Sequence, residues 1–568
     1  MKAVRSIICS AAILLGVSAP SALGKKAQIN IIPLPANLQV DKGSFNVRGA
    51  VINCDSSVDP ETIEAISQFA GQLTLTTGRT ATIASTAGLA RTVMAGKAKG
   101  FAFFADRTLS GEQYRIKVNP KYIAVSAYSH EGFLYALQTL RQLMPVEVYG
   151  KSAAPGADWK IPCVTIEDKP LYRWRGMHLD CSRHFISIAE IKRYLDIMAI
   201  YKLNRFHWHL TDDQGWRIEL KCYPELTQTG AYRDGSQYGH NQSEVDNIRH
   251  GGYYTQDQIR EVIAYAAKRG IMVVPEVDLP GHMQAVLATY PHLGCTGGPY
   301  EVRKIWGVAE DVLCGGKAAS YEFLKNVLEE VADLFPGPYF HIGGDECPKL
   351  RWEQCPDCQA KIKELGLKGR SDRKNAGPEW ELQSYITTFV SDVLAAKGKQ
   401  IIGWDEIRYG GTKGSEIIMS WLGMKMARAA VEDGLQIIAC PMNFCYYNFY
   451  QVKPYDSQPI AFRGYVPLRK AYSLDPFAPE SEKKAENYIP EQYRDKVLGV
   501  QANLWGEYIT SDKALEYQLL PRVMAISEVG WSDPARKDYE DFRRRIIAHQ
   551  LPILDILGYN YCKDVLEK

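Results

Sequence analysis

From about residue 168 onward, short apolar runs alternate with stretches of helical periodicity. The runs occupy residues 176–180, 205–210, 271–278, 339–346, 400–406, 416–421, 436–442 and 498–507. Between them, residues 188–202, 255–269, 321–335, 382–397, 424–433 and 513–529 repeat apolar side chains at helical spacing. Such alternation predicts a parallel sheet, and eight repeats predict a (β/α)8 barrel of the α/β class. The span exceeds the ~250 residues usual for that barrel, so long loops are expected. The longest gaps follow Leu210, Asp278 and Met442.

Upstream the pattern differs. Tyr114-Arg-Ile-Lys-Val118 and Tyr122-Ile-Ala-Val-Ser126 alternate as half-buried strands do, joined by a turn at Asn119-Pro120. Residues 131–143 place Phe133, Leu134, Leu137 and Leu140 on one helical face. Strands beside a helix predict a small α+β domain over residues 25–165, with 151–159 as a linker region rich in Ala, Pro and Gly. Residues 166–568 are then the barrel with a C-terminal helical segment.

Composition narrows the function classes. With 46% hydrophobic and 23% charged residues the chain is globular, and its 568 residues accommodate two or more domains. A net charge of +2 gives no basic field to argue for nucleic acid or an anionic membrane. Residues 1–24 read as an export signal. Lys2 and Arg5 precede an apolar stretch, 7–17, too short to span a bilayer, and Ala22-Leu23-Gly24 suits cleavage. The expectation is a soluble protein, periplasmic or extracellular. Export permits disulfides, and Cys295 with Cys314, bracketing a Gly-rich loop, is the favoured pair. Cys355-Pro-Asp-Cys358 is compatible with redox chemistry or zinc. No second pair at zinc-finger spacing accompanies it, which favours a loop staple over a metal site.

Polar and Trp residues gather where the strands should end: Asp180, His209, Asp212, Asp278, Asp345, Glu346, Trp404, Asp405, Glu406, Trp421, Trp505 and Glu507. In a barrel that rim carries the active site. The run His341-Ile-Gly-Gly-Asp-Glu346 stands out. Two adjacent carboxylates after an apolar strand repel each other, which argues for a task. Gly343 and Gly344 are read as room for a ligand against the backbone. No GxGxxG follows a strand, and Walker and HExxH motifs are absent, which removes nucleotide and zinc-protease readings.

Several motifs occur together and in barrel order. They are Trp174-Arg-Gly-Met-His-Leu-Asp180 with Ser182-Arg-His184, Phe206-His-Trp-His-Leu-Thr-Asp-Asp-Gln-Gly-Trp216, Pro275-Glu-Val-Asp-Leu-Pro-Gly-His282, His341 to Glu346, and Trp505-Gly-Glu507. With them the chain resembles the β-N-acetylhexosaminidases of glycoside hydrolase family 20 over almost its whole length. The resemblance implies an exported, exo-acting enzyme acting on glycans with terminal β-linked N-acetylhexosamine, with retention, through an oxazolinium intermediate formed by the substrate's own acetamide. It implies Glu346 as general acid and base, Asp345 as the anion beside the acetamide, and Tyr446 as donor to the acetamide oxygen. It assigns Arg175 to the 3- and 4-hydroxyls, Glu507 to the 4- and 6-hydroxyl side, and Trp404, Trp421 and Trp505 to the walls. Asp212 and His282 would support the catalytic glutamate. That mechanism requires no metal and no organic cofactor. Asn448 stands where an aspartate is common in relatives, so the pocket could accept an anionic group on the 6-position. A disaccharide-releasing relative and a carbohydrate-binding protein on the same fold stay open as alternatives, the latter opposed by intact Asp345, Glu346 and Tyr446.

Overall fold

The computed structural model describes residues 28–369, 377–478 and 488–564. The expected export signal, 1–24, lies outside the described residues. The first domain is a seven-stranded sheet. Its strands are β1 (Asn37–Asn46), β2 (Ile52–Cys54), β3 (Ile83–Ser85), β4 (Gly100–Ala105), β5 (Tyr114–Val118), β6 (Tyr122–Ala127) and β7 (Lys160–Asp168). They are ordered β1-β7-β5-β6-β4-β2-β3. The expected pair β5 and β6 is antiparallel, with Val118 opposite Ile123. Helix His130–Leu143 starts where Ser129 accepts from the Gly132 amide, and it buries Phe133, Leu137 and Leu140. Residues 151–159 do not link the domains. They close on Trp159, which is buried, donates to the Ala154 carbonyl at 3.1 Å and leads into β7. The sheet therefore holds the chain to Asp168, three residues past the expected boundary at 165.

The second domain is a closed parallel barrel of eight strands. These are β8 (Trp174–Asp180), β9 (Arg205–His209), β10 (Met272–Glu276), β11 (Tyr339–His341), β12 (Gln400–Trp404), β13 (Ile417–Ser420), β14 (Gln436–Ala439) and β15 (Val497–Leu504). They follow one another around the barrel in chain order, β15 closing on β8. The helix expected over 513–529 is two helices, Asp512–Leu519 and Arg522–Trp531. Pro521 separates them, because proline has no N–H to continue the ladder and its ring crowds the preceding turn. No helix among the described residues is long and apolar enough to cross a membrane.

Two polar layers bind this fold. Inside the barrel, Glu276 at the end of β10 takes His207 at 2.9 Å, His209 at 2.5 Å, His341 at 3.0 Å and the Trp404 indole N–H at 3.0 Å. Burial opposes the Glu276 charge, yet these histidines hold it well below the usual carboxylate range. Beneath the barrel, the first domain meets the beginnings of β8 and β9. Arg175, the second residue of β8, is fully buried there. Its guanidinium forks onto Glu112 at 2.8 and 3.0 Å and also donates to Tyr135 and to the Tyr172 and Lys202 carbonyls. Lys202 reaches Tyr114 at 2.7 Å and Asp168 at 3.4 Å. Arg175 and Lys202 each find a carboxylate of the first domain here.

Candidate active site

The opposite end of the barrel is built differently. After β11 the chain turns through Gly343 and Gly344, at φ 64° and 92°. A Cβ on Gly343 would lie 1.7 Å from an Asp278 carboxylate oxygen, and one on Gly344 would lie 2.3 Å from the Ile407 side chain. The Gly344 amide donates to Asp278 at 3.1 Å. The two glycines thus make room for the protein's own Asp278 and Ile407, not for a ligand as expected. The tight turn delivers Asp345 and Glu346 to the rim, Glu346 itself in the left-handed region at φ 45°.

Asp345 is buried and its Oδ1 has no hydrogen-bond partner. Burial, with Glu346 adding to it, pushes this carboxyl up to about 6. The Glu346 side chain is 42% exposed. His282 stands between them, its Nε2 3.8 Å from Asp345 and 3.5 Å from Glu346. The other ring nitrogen of His282 lies 3.2 Å from both Asp212 and Asp213. Burial opposes the imidazolium, but Asp212 and Asp213 hold it protonated well above its ordinary value. His282 in turn holds Glu346 below the usual range. Asp212 also receives Arg183 at 2.8 Å and His209 at 3.0 Å. A continuous relay, Arg183 to Asp212 to His282 to Glu346, crosses the rim.

Three tryptophans and a tyrosine gather at the same ends of the strands. Trp404 and Trp505 lie 5.7 Å apart, and Tyr446 stacks on Trp421 at 6.0 Å with an interplanar angle of 14°. Asp405 fixes the Trp421 backbone by accepting from Trp421 and Leu422, and Glu406 accepts from the Trp421 indole at 3.1 Å. Glu507, pushed up to about 7 by burial, has an unpartnered Oε2. Asn448 is buried with its amide oxygen unpartnered.

Arg175 is the correction. It sits at the start of β8, sealed in the floor against Glu112, and cannot reach a sugar at the rim. Arg183, three residues beyond the end of β8, holds the rim position. It pairs with Asp180 at 3.1 Å and lies over the Trp505 ring at 5.1 Å. Burial works against its charge, but Asp212, Asp180 and Glu507 keep it protonated well above its ordinary value. The signal was present in the sequence. Arg183 follows the strand that ends at Asp180, whereas Arg175 begins it, and only the C-terminal end of a barrel strand faces the site. The favoured Cys295–Cys314 pair is a second correction. No disulfide joins Cys295 to Cys314, and these two belong to a four-thiol cluster with Cys355 and Cys358.

Residues 172–534 match glycosyl hydrolase family 20, catalytic domain, and residues 28–169 match glycosyl hydrolase family 20, domain 2. The chain belongs to glycoside hydrolase family 20. It is 38% identical to a β-hexosaminidase of Porphyromonas gingivalis, covering 96% of this chain and 67% of that protein. Among solved structures it is similar to the exo-β-N-acetylglucosaminidase of Vibrio harveyi in complex with N-acetylglucosamine. That likeness has 32% identity and a TM-score of 0.77, over 94% of this chain and 78% of that one. The β-N-acetylhexosaminidase of Streptomyces coelicolor is similar at 29% identity and TM-score 0.77, over 94% and 97%. The fold and family together make this chain a glycoside hydrolase of β-N-acetylhexosaminidase activity, a TIM barrel preceded by a small domain.

Proposed function

We propose that Asp345 and Glu346 divide the labour of an exo-acting, retaining cleavage in which the substrate supplies the nucleophile. The observation that carries this reading is the unpartnered Oδ1 of buried Asp345, at a rim where Trp404, Trp421, Trp505 and Tyr446 gather and where the Asp345 charge reaches Tyr446. An acetamide N–H fills that vacant acceptor, and its methyl suits an aromatic wall.

In the first step the acetamide oxygen bonds to the anomeric carbon while the glycosidic bond breaks. Glu346 gives its proton to the departing oxygen. A sugar covering the exposed Glu346 removes water from it and raises its pKa against the pull of His282, which suits it to donate. Positive charge grows on the acetamide nitrogen beside the Asp345 anion, and Tyr446 donates to the acetamide oxygen. In the second step Glu346 takes a proton from water as that water attacks the anomeric carbon from the face the leaving group vacated. The oxazolinium ring opens and the configuration is retained. Arg183, in place of Arg175, and Glu507 meet the sugar hydroxyls, Arg183 held in orientation by Asp180 and Asp212.

Fluorination of the substrate's acetyl group tests this. Each fluorine withdraws electrons from the attacking oxygen, so the rate of the first chemical step should fall progressively along the series. A rate indifferent to fluorine, or a sugar ester trapped on any carboxylate, refutes the reading. A thiazoline mimic of the cyclised sugar should bind tightly to the wild type and weakly to Asp345→Asn.

A further inference from the structure

Four cysteines from two loops converge beside the active-site rim. Cys295 and Cys314 lie in the loop after β10, Cys355 and Cys358 in the loop after β11. Their sulfurs all lie within 4.8 Å of one another. The sulfurs of Cys314 and Cys358 stand 3.5 Å apart, those of Cys314 and Cys355 3.7 Å, and those of Cys295 and Cys358 3.9 Å. A tetrahedral zinc ion with Zn–S bonds of ~2.3 Å has sulfur–sulfur edges of ~3.8 Å. We propose that Cys295, Cys314, Cys355 and Cys358 form a structural tetrathiolate zinc site that ties these two loops together.

The backbone around the cluster is shaped for it. The turn after Cys314 lies so close to the Cys355–Cys358 turn that a Cβ on Gly316 would sit 2.3 Å from the Cys358 nitrogen. Trp352 donates to the Leu313 carbonyl at 2.9 Å, across the same junction. Lys317 grips the His292 and Gly294 carbonyls at 2.9 and 2.7 Å, fixing the approach to Cys295. Cys355 is the N-cap of helix Pro356–Leu365, and Cys358 stands in its first turn. The positive end of that helix favours thiolates. On binding, four thiols release four protons to solvent and the ion accepts four thiolates, leaving a net charge of −2 and no change of oxidation state. Four thiolate ligands with no open position suit zinc in a structural role and not a catalytic one.

The location gives the site its purpose. The loop after β10 carries His282, and the loop after β11 carries Asp345 and Glu346. Gly281 packs against Asp345, since a Cβ there would lie 3.2 Å from the Asp345 carbonyl oxygen. An ion joining the two loops braces the 3.5 Å approach of His282 to Glu346.

The full chain, expressed with zinc and purified without chelator, tests the proposal by elemental analysis. One zinc per chain is expected, with stoichiometry retained in Cys222→Ser, whose cysteine is exposed and outside the cluster, and lost in Cys358→Ser. Cobalt exchanged into the site should show the visible absorption of tetrahedral cobalt thiolate. Should Cys358→Ser fail to fold, titration of the wild type with a mercurial decides, because zinc release must track thiol modification. Intact mass showing two disulfides overturns the proposal, as do four free thiols without metal or iron in place of zinc.

Discussion

The two ends of the barrel spend charge in opposite ways. At the floor, Arg175 meets Glu112 and Lys202 meets Asp168, each cation facing its own anion across the domain boundary. At the rim, Asp345, Asp405, Glu406 and Glu507 are all raised by burial, to about 6, about 6, well above the ordinary value and about 7. Arg183 and His282 stand among them already engaged. The floor pairs its buried Arg175 and Lys202 with carboxylates, and the rim leaves Asp345, Asn448 and Glu507 with unpartnered oxygens. The difference teaches where binding energy is held in reserve: a surface that leaves buried acceptors empty is completed by its substrate.

The largest expected effect tests the rim. Glu346→Gln should lower kcat by roughly 10²–10⁴-fold on substrates with poor leaving groups, and far less on activated aryl glycosides that need no proton. Equal losses on both would remove Glu346 from the role of acid.

Exchanging each arginine for lysine contrasts the two ends directly, because lysine keeps the charge and loses the fork. Arg183→Lys should cost about 100-fold in kcat/KM with little change in Tm. Arg175→Lys should lower Tm by several degrees, on the order of 2–3 kcal/mol, with kcat/KM per folded molecule unchanged. An inactive but fully stable Arg175→Lys protein would break the comparison.

The pH profile sharpens it. Burial pushes the Asp345 carboxyl up to about 6 and its proposed role needs the anion, so kcat/KM should fall about tenfold per unit below pH 6. The sign for stability is opposite. A carboxyl raised above its unfolded value favours folding fully only below the unfolded pKa, and that advantage is lost as pH rises through 6. Asp345→Asn should therefore unfold at higher temperature than wild type at pH 8, with no such gain at pH 3.5. Thermal melts at the two pH values measure this.

The smallest effect concerns Asn448. An amide imposes no repulsion on a 6-sulfated sugar, so activity on 6-sulfo-N-acetylglucosamine is expected. Asn448→Asp should cut that activity roughly tenfold more than activity on the plain sugar. A parallel response of both substrates would separate Asn448 from the 6-position.

The barrel and the place of Asp345 and Glu346 at its rim were legible because eight apolar runs alternate with helices and because the polar residues cluster at strand ends. What escaped depends on three-dimensional neighbours. Gly343 reads as space for a ligand until Asp278, sixty-odd residues earlier, is seen to fill it. Arg175 lies at the start of β8 and Arg183 beyond its end, so strand direction could have separated them, but the contact of Arg175 with Glu112 of the first domain shows only in three dimensions. The four cysteines have irregular spacing because a helix and β11 separate the two loops, and only barrel closure makes these loops neighbours. The first domain showed two strands of seven, since β1 has a largely exposed face and β2 and β3 are three residues each.

The floor contacts also bear on how such proteins can be assembled. Trp531, from the last barrel helix, donates its indole N–H to Asp168 of β7, and Leu171 and Tyr172 donate to the backbone of that same helix end. A barrel excised from its first domain would inherit Arg175 and Lys202 without Glu112 and Asp168, two cations stranded at an apolar surface. The two domains are therefore not interchangeable modules. Grafting this barrel into a multidomain fusion requires carrying the sheet with it, and recombination between relatives succeeds only where both halves of each floor pair travel together.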